Sequence, residues 1–252
     1  MTTETAPAAP LVSVRQAGPV ARITVGNGRR RNALTVAGWA ALEQRVDELG
    51  EQDRVRAVLV RGRGDTFCAG SDISEWLDAD PDFVEESFAR MEAAFRAIER
   101  CPVPVVAEIE GAAAGAGCQL ALACDMRYMA ESARIGMPIA RLGILATPAF
   151  AARLTALAGP AVARELLYTG DLLDGPAAQA ARLVNRAVPD AALHDEVNAV
   201  LGRICAQPPA AVRAAKRAVG AAITPMWDAT EHNDMPAVSA DDFAAAVKAF
   251  LH

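Results

Sequence analysis

The chain has 252 residues, enough for one large folding unit or a core with an appendage, and 52% of them are hydrophobic but only 5% aromatic. Such a composition excludes a disordered or fibrous protein and suits a helix-rich α/β fold. With 25 Lys and Arg against 31 Asp and Glu, a net charge of −6, neither nucleic acid nor an anionic membrane surface is expected as a general partner.

Residues 1–10 read as a frayed tail. They are small, acidic or proline-containing and have none of the features of a signal peptide. No run of membrane length is free of charge, so a cytoplasmic protein is expected. Residues 12–14 and 21–25 are short β-rich runs broken at Gly18-Pro19, a hairpin pattern. Thr35 is a candidate N-cap for a helix with apolar positions at Trp39, Leu42, Val46 and Leu49, and Gly50 marks its expected end. The continuous apolar run 57–60 predicts a buried strand.

A first glycine turn follows, Phe67-Cys68-Ala69-Gly70-Ser71-Asp72-Ile73, and is expected to open a helix carrying Glu75 and Asp78. Residues 83–100 predict a long amphipathic helix with Phe88, Met91, Phe95 and Ile98 on one face, ended by Cys101-Pro102. A second buried strand, 103–109, leads to a second turn, Gly111-Ala112-Ala113-Ala114-Gly115-Ala116-Gly117, and a helix over 118–124. Residues 164–169 look helical, and Asp174 is placed to cap a short helix over 175–181. Beyond residue 190 the β signals stop and helices are expected over 193–206, 210–222 and 241–251. The division is therefore a tail (1–10), an α/β core (11–190) and a C-terminal helical region (191–252).

Five cysteines, an odd number without metal-ligand spacing, and three histidines remote from them in sequence point to reduced thiols and no metal site. The chemistry lies instead in the two glycine turns. Each can present main-chain N–H groups that no helical partner satisfies, and two such donors meeting at one oxygen would polarise a thioester carbonyl.

Five ordered segments carry a resemblance: Arg31-Asn32-Ala33-Leu34, the first turn, Pro104 through Cys118, Ala123-Cys124-Asp125-Met126-Arg127, and Leu167-Tyr168-Thr169-Gly170. Over nearly its whole length the chain is similar to the crotonase, or enoyl-CoA hydratase/isomerase, superfamily. The resemblance implies a spiral of ββα units, a C-terminal helical region used in assembling a homotrimer or a dimer of trimers, and an acyl-CoA thioester ligand. No permanently bound cofactor is implied; coenzyme A arrives with the substrate. It also implies oxyanion N–H donors at Ser71 and Ala116, where many relatives carry glycine at the second place.

The two acid/base positions of a hydratase of this family, both glutamate there, correspond to Gln119 and Ile139, and a third position used by some relatives to Thr147. An amide can hold a water but is no base near neutral pH, and isoleucine does neither. Ordinary hydration is therefore not expected. A thioester enolate whose acid or base comes from elsewhere, from the substrate or from water fits the residues, in a hydratase/isomerase-like or decarboxylase-like reaction. Decarboxylation fits particularly well because it needs no base, and a non-catalytic acyl-CoA carrier or regulatory protein is the alternative. Replacement groups considered are His232, Glu75, Asp78, Cys118 and Arg141, each with a structural or surface reading at least as strong.

For coenzyme A, the resemblance points to Arg29 first and Arg31 second for the phosphates, and to the segment around Ala33. It points to the carbonyl of Ala69 for the adenine amino group, to Ile73 for packing on adenine, and to Asp72 for holding the loop. Trp76 and Leu77 are expected beside the acyl group.

Overall fold

The computed structural model describes residues 10–228 and 236–251. Its strands are β1 (Val12–Ala17), β2 (Val20–Val25), β3 (Ala57–Gly62), β4 (Val105–Ile109), β5 (Ala112–Ala114), β6 (Met126–Ala130), β7 (Arg134–Gly136), β8 (Leu172–Asp174) and β9 (Arg186–Val188). Its α-helices are α1 (Val36–Gly50), α2 (Pro81–Arg100), α3 (Ala116–Ala123), α4 (Pro148–Thr169), α5 (Gly175–Ala180), α6 (Leu193–Ala206), α7 (Pro209–Asp228) and α8 (Ala240–Leu251).

The main sheet has the order β1-β2-β3-β4-β6-β9, antiparallel at the first hairpin and parallel from β2 onward. Parallel strands covered on both faces are largely apolar, and every residue of β4 is buried, including Glu108, which pairs with Arg61 at 3.4 Å. A second, three-stranded sheet, β5-β7-β8, stands beyond the ends of these strands. The result is the α/β architecture expected from the sequence.

Local chemistry accounts for four of the helix starts. Thr35 caps α1, Asp80 caps α2, Thr147 caps α4 and Asp174 caps α5, each side chain accepting from an N–H in the first turn. Helix α2 lays Val84, Phe88, Met91, Phe95 and Ile98 along one buried face, with Phe95 edge-on to Trp39 of α1.

Helix α1 ends at Gly50 as expected, with Glu51 beyond it in a right-handed conformation. What Gly50 provides is space, since a Cβ there would stand 3.0 Å from Pro102. The first glycine turn opens only a single 3₁₀ turn, Ile73–Trp76, before Asp78 turns left-handed at φ 55°. The helix expected over 164–169 is the end of α4, which starts sixteen residues earlier at Pro148 and bends at Gly159-Pro160. Strands β5, β7 and β8, three residues each, are too short for any alternation to betray them. Among the described residues no helix is long and apolar enough to cross a membrane.

The C-terminal helices do return to the core. Helix α8 is tied down by Phe243 against Trp76, by a bridge between Val238 and Ile144, and by Lys248 paired with Asp78 at 3.3 Å.

Candidate active site

The two glycine turns meet through β5. Phe67 N–H donates to the Glu110 carbonyl (2.8 Å), Cys68 N–H to Ala112 (2.9 Å), and Ala114 N–H back to Cys68 (3.1 Å). The first turn is thereby laid along the second as an extra short strand. Gly70 has φ 108°, and a Cβ on it would lie 3.0 Å from the Ala114 oxygen and 3.2 Å from the Ala116 nitrogen. Gly115, at φ 55°, takes the strained step before α3, so Ala116 itself needs no positive φ and an alanine is accommodated there.

A cavity of about 510 Å³ opens over this junction. Ser71 and Ala116 both line it, and the main-chain N–H of neither donates to a protein acceptor among the described residues. Ala116 is the first residue of α3, whose positive dipole end favours negative charge nearby. The Ser71 hydroxyl is engaged elsewhere: it accepts from Trp39 Nε1 (3.0 Å) and donates to Met91 Sδ (2.8 Å).

The rest of the wall is apolar. Trp76 from the 3₁₀ turn, Phe88 and Met91 from α2, Ile139 and Ile144 from the segment before α4, and Phe150 from α4 form its inner part. Arg31, Arg141, Leu172 and Phe250 stand toward the opening, and Ala246 and Ala249 of α8 complete one side. Among the described residues no carboxylate, imidazole or thiol lines the cavity.

Of the residues singled out from sequence, Ser71, Ala116, Ile139, Arg31, Ala69 and Ile73 line this cavity; Gln119, Arg29, Ala33 and Asp72 do not. Gln119 points into the protein. Its Nε2 donates to the Phe150 carbonyl at 3.3 Å, and its Oε1 accepts from Arg153 Nη1 at 3.5 Å. Arg153 in turn is buried between Glu92 and Glu99 (2.7 and 2.6 Å) and lies over the Phe95 ring. Burial alone would lower the Arg153 pKa, but the two glutamates outweigh it and hold the value above that of an ordinary arginine. A buried arginine with two glutamates behind Gln119 carries no signal in the sequence, because Glu92, Glu99 and Arg153 come together only by packing.

Within the basic run, residues 30–32 all have positive φ (47°, 53° and 60°), which turns Arg31 to the cavity while Arg29, before the bend, is left aside. Of the two arginines expected at the phosphates, Arg31 lines the cavity and Arg29 does not. Arg30 is occupied with Asp72 and Ser74. The bend is held by Asn32, buried, with Oδ1 accepting from Gly28 N–H (2.9 Å) and Nδ2 donating to the carbonyls of Arg63 and Thr66 (2.9 and 2.5 Å). Asp72 accepts from the Ser74 N–H at 3.1 Å and caps the 3₁₀ turn. Burial alone would raise its pKa, but Ser74 and Arg30 outweigh this and leave it below the usual carboxylate value.

The remaining candidates have structural partners. Glu75 accepts from the Val36 N–H at 2.8 Å at the start of α1, Thr147 caps α4, and Arg141 faces Asp171 at 3.8 Å. Burial pushes the Cys118 thiol up to about 12, which removes it as a nucleophile near neutral pH. Leu77 is part-exposed and lies outside the cavity wall. His232 lies outside the described residues.

The enoyl-CoA hydratase/isomerase family model matches residues 15–241. A crotonyl-CoA hydratase of Syntrophomonas wolfei subsp. wolfei is 35% identical over 202 residues, 79% of this chain and 77% of that protein. Among solved structures, an enoyl-CoA hydratase/carnithine racemase from Magnetospirillum magneticum superposes with a TM-score of 0.80 at 33% identity, covering 89% of this chain and 84% of the other. An enoyl-CoA hydratase from Bacillus anthracis does so with 0.79 at 30% identity, covering 89% and 92%.

Proposed function

This chain belongs to the enoyl-CoA hydratase/isomerase family, and from that premise we propose that it processes an acyl-CoA thioester through an enolate, without a carboxylate of its own as the base. The N–H groups of Ser71 and Ala116 would receive the thioester oxygen as it gains negative charge. One such donor is worth roughly 3–4 kcal/mol of transition-state stabilisation. Arg31 would meet the phosphates of coenzyme A at the opening, and Ala69 and Ile73 would contact the adenine.

The single observation that carries this reading is a cavity with two unpartnered N–H groups and no acid or base in its wall among the described residues. A reaction suited to it makes the enolate without removing a proton. Decarboxylation does so: the bond from the α-carbon to the carboxylate breaks, its electron pair passes into the enolate, CO₂ leaves, and water returns a proton to the α-carbon. An apolar wall assists, because a carboxylate desolvated there loses its charge on becoming CO₂.

The test is incubation of the purified protein with crotonyl-CoA and with a malonyl-type thioester, the products read by mass spectrometry. Loss of CO₂ from the second without hydration of the first is expected. Hydration of crotonyl-CoA at a rate ordinary for a two-glutamate enzyme overturns the proposal. The same bare wall favours a second reading, an acyl-CoA carrier or regulatory protein, which tight binding without any product would establish.

A further inference from the structure

The chain holds only seven Phe, three Trp and two Tyr, yet Trp76, Phe88, Phe150 and Phe250 all line this one cavity. Three of them form a continuous wall. Trp76 and Phe88 are stacked, with centroids 5.6 Å apart and planes 12° apart. Phe88 and Phe150 follow at 6.4 Å and 33°. Met91 adds a thioether to the same inner surface. A fatty acyl chain needs apolar area only, which leucine and valine supply; a wall of adjoining aromatic rings favours a planar π-system against it.

The side-chain polar groups of this inner part already have partners, which leaves only the main-chain N–H groups of Ser71 and Ala116 at the reacting carbonyl. Trp76 Nε1 donates to Ser87 Oγ at 3.0 Å, and the Ser71 hydroxyl is shared between Trp39 and Met91. The guanidinium groups of Arg31 and Arg141 stand toward solvent at the opening. A hydroxyl or carboxylate carried to the inner end would lose water and find no replacement.

We infer that the far end of the substrate's acyl group, beyond the carbons at which the enolate forms and any carboxylate lost there, is an uncharged aryl group without a hydrogen-bonding substituent, seated among Trp76, Phe88 and Phe150. This rests on the acyl-CoA reading above and narrows it. Cinnamoyl-CoA is the probe, compared with trans-2-nonenoyl-CoA, which has the same acyl carbon count, and with 4-coumaroyl-CoA, which adds a ring hydroxyl. Affinity is read from tryptophan fluorescence, with mass spectrometry confirming that the thioesters stay intact.

Cinnamoyl-CoA is expected to bind about tenfold more tightly than either comparison compound. Phe88→Leu, which keeps an apolar side chain but removes the ring on Trp76, brings the cinnamoyl and nonenoyl affinities to within about twofold of each other. Should that variant fail a thermal-unfolding check, Phe150→Leu carries the same expectation. Equal or tighter binding of the nonenoyl thioester overturns the aryl assignment and leaves the acyl-CoA reading intact. Equal binding of 4-coumaroyl-CoA overturns the exclusion of polar substituents. Failure of all three thioesters to bind overturns the acyl-CoA reading itself, and this inference with it.

Discussion

Gly117 and Cys68 meet backbone to backbone: a Cβ on Gly117 would lie 1.9 Å from the Cys68 carbonyl oxygen. That contact locks the first turn of α3 against the loop carrying Ser71, so the two donors of the candidate oxyanion site share one rigid junction. Residues far apart in sequence are held there by a distance that tolerates no side chain.

Two glycine substitutions should therefore behave differently. Gly117→Ala forces main-chain atoms apart and is expected to cost several kcal/mol, so the protein should express poorly or unfold at low denaturant. Gly70→Ala meets main-chain atoms at 3.0–3.2 Å in a left-handed conformation. It should fold with lowered stability and lose acyl-CoA affinity. Denaturant unfolding paired with a thioester-binding titration separates the two outcomes.

A carboxylate placed at position 119 and one placed at position 139 should not act alike. Gln119→Glu puts a negative charge within reach of Arg153, whose Nη1 is 3.5 Å from the present amide oxygen. The new acid would be held ionised and turned away from the cavity, and it would surrender the donor to Phe150. Ile139→Glu projects into the cavity. Hydration of crotonyl-CoA, followed by loss of the enoyl absorbance, should stay at the wild-type level in Gln119→Glu and rise above it in the double variant. A flat result in the double variant means the cavity geometry no longer suits hydration.

The basic run offers a comparison within three consecutive residues. Arg31→Ala should weaken binding of coenzyme A thioesters and reduce its salt dependence, whereas Arg29→Ala should change affinity less than about twofold. Arg30→Ala removes the partner of Asp72 and should loosen the loop around Ser71 without removing a charge from the cavity. Binding titrations at two ionic strengths distinguish the three.

Alkaline pH should destabilise the fold through its thiols. Burial pushes Cys68, Cys118 and Cys124 up to about 12, from an ordinary value of 9.0. Above that ordinary value the unfolded chain loses these protons while the folded chain keeps them. The unfolded state then binds fewer protons, so stability falls as pH rises from 9 toward 12. Each thiol contributes a slope of about 1.4 kcal/mol per pH unit. Unfolding under reducing conditions at several alkaline pH values measures the sum. Near neutral pH a thiol reagent should modify part-exposed Cys205 well before the four buried cysteines.

Legibility from sequence followed how local the cause was. Thr35 and Asp174 announced their helices because a cap acts within three residues. The apolar runs of β3 and β4 announced strands because both faces are covered. Ser71 and Ala116 were legible as candidates through the resemblance that the two glycine turns carry. The orientation of Gln119 was not, because it depends on Arg153, which reaches it from another helix with two glutamates from a third. That Arg31 and not Arg29 lines the cavity was not legible either, because spacing along the chain is silent about three successive left-handed residues, which Asn32 stabilises through carbonyls more than thirty positions away.

By itself the sequence determined the α/β class, the family, the two glycine turns and the uncharged residues at positions 119 and 139, all of them properties of residue type and order. Only the tertiary structure decided that the two turns share one backbone junction, that Gln119 faces inward, that Arg31 faces the cavity, and that α8 comes back to close a wall with aromatic rings beneath it. The physical reason is range. Propensity, capping and apolar runs act between neighbours in the chain, whereas which donors and rings surround one volume depends on close packing between segments that the chain itself keeps far apart.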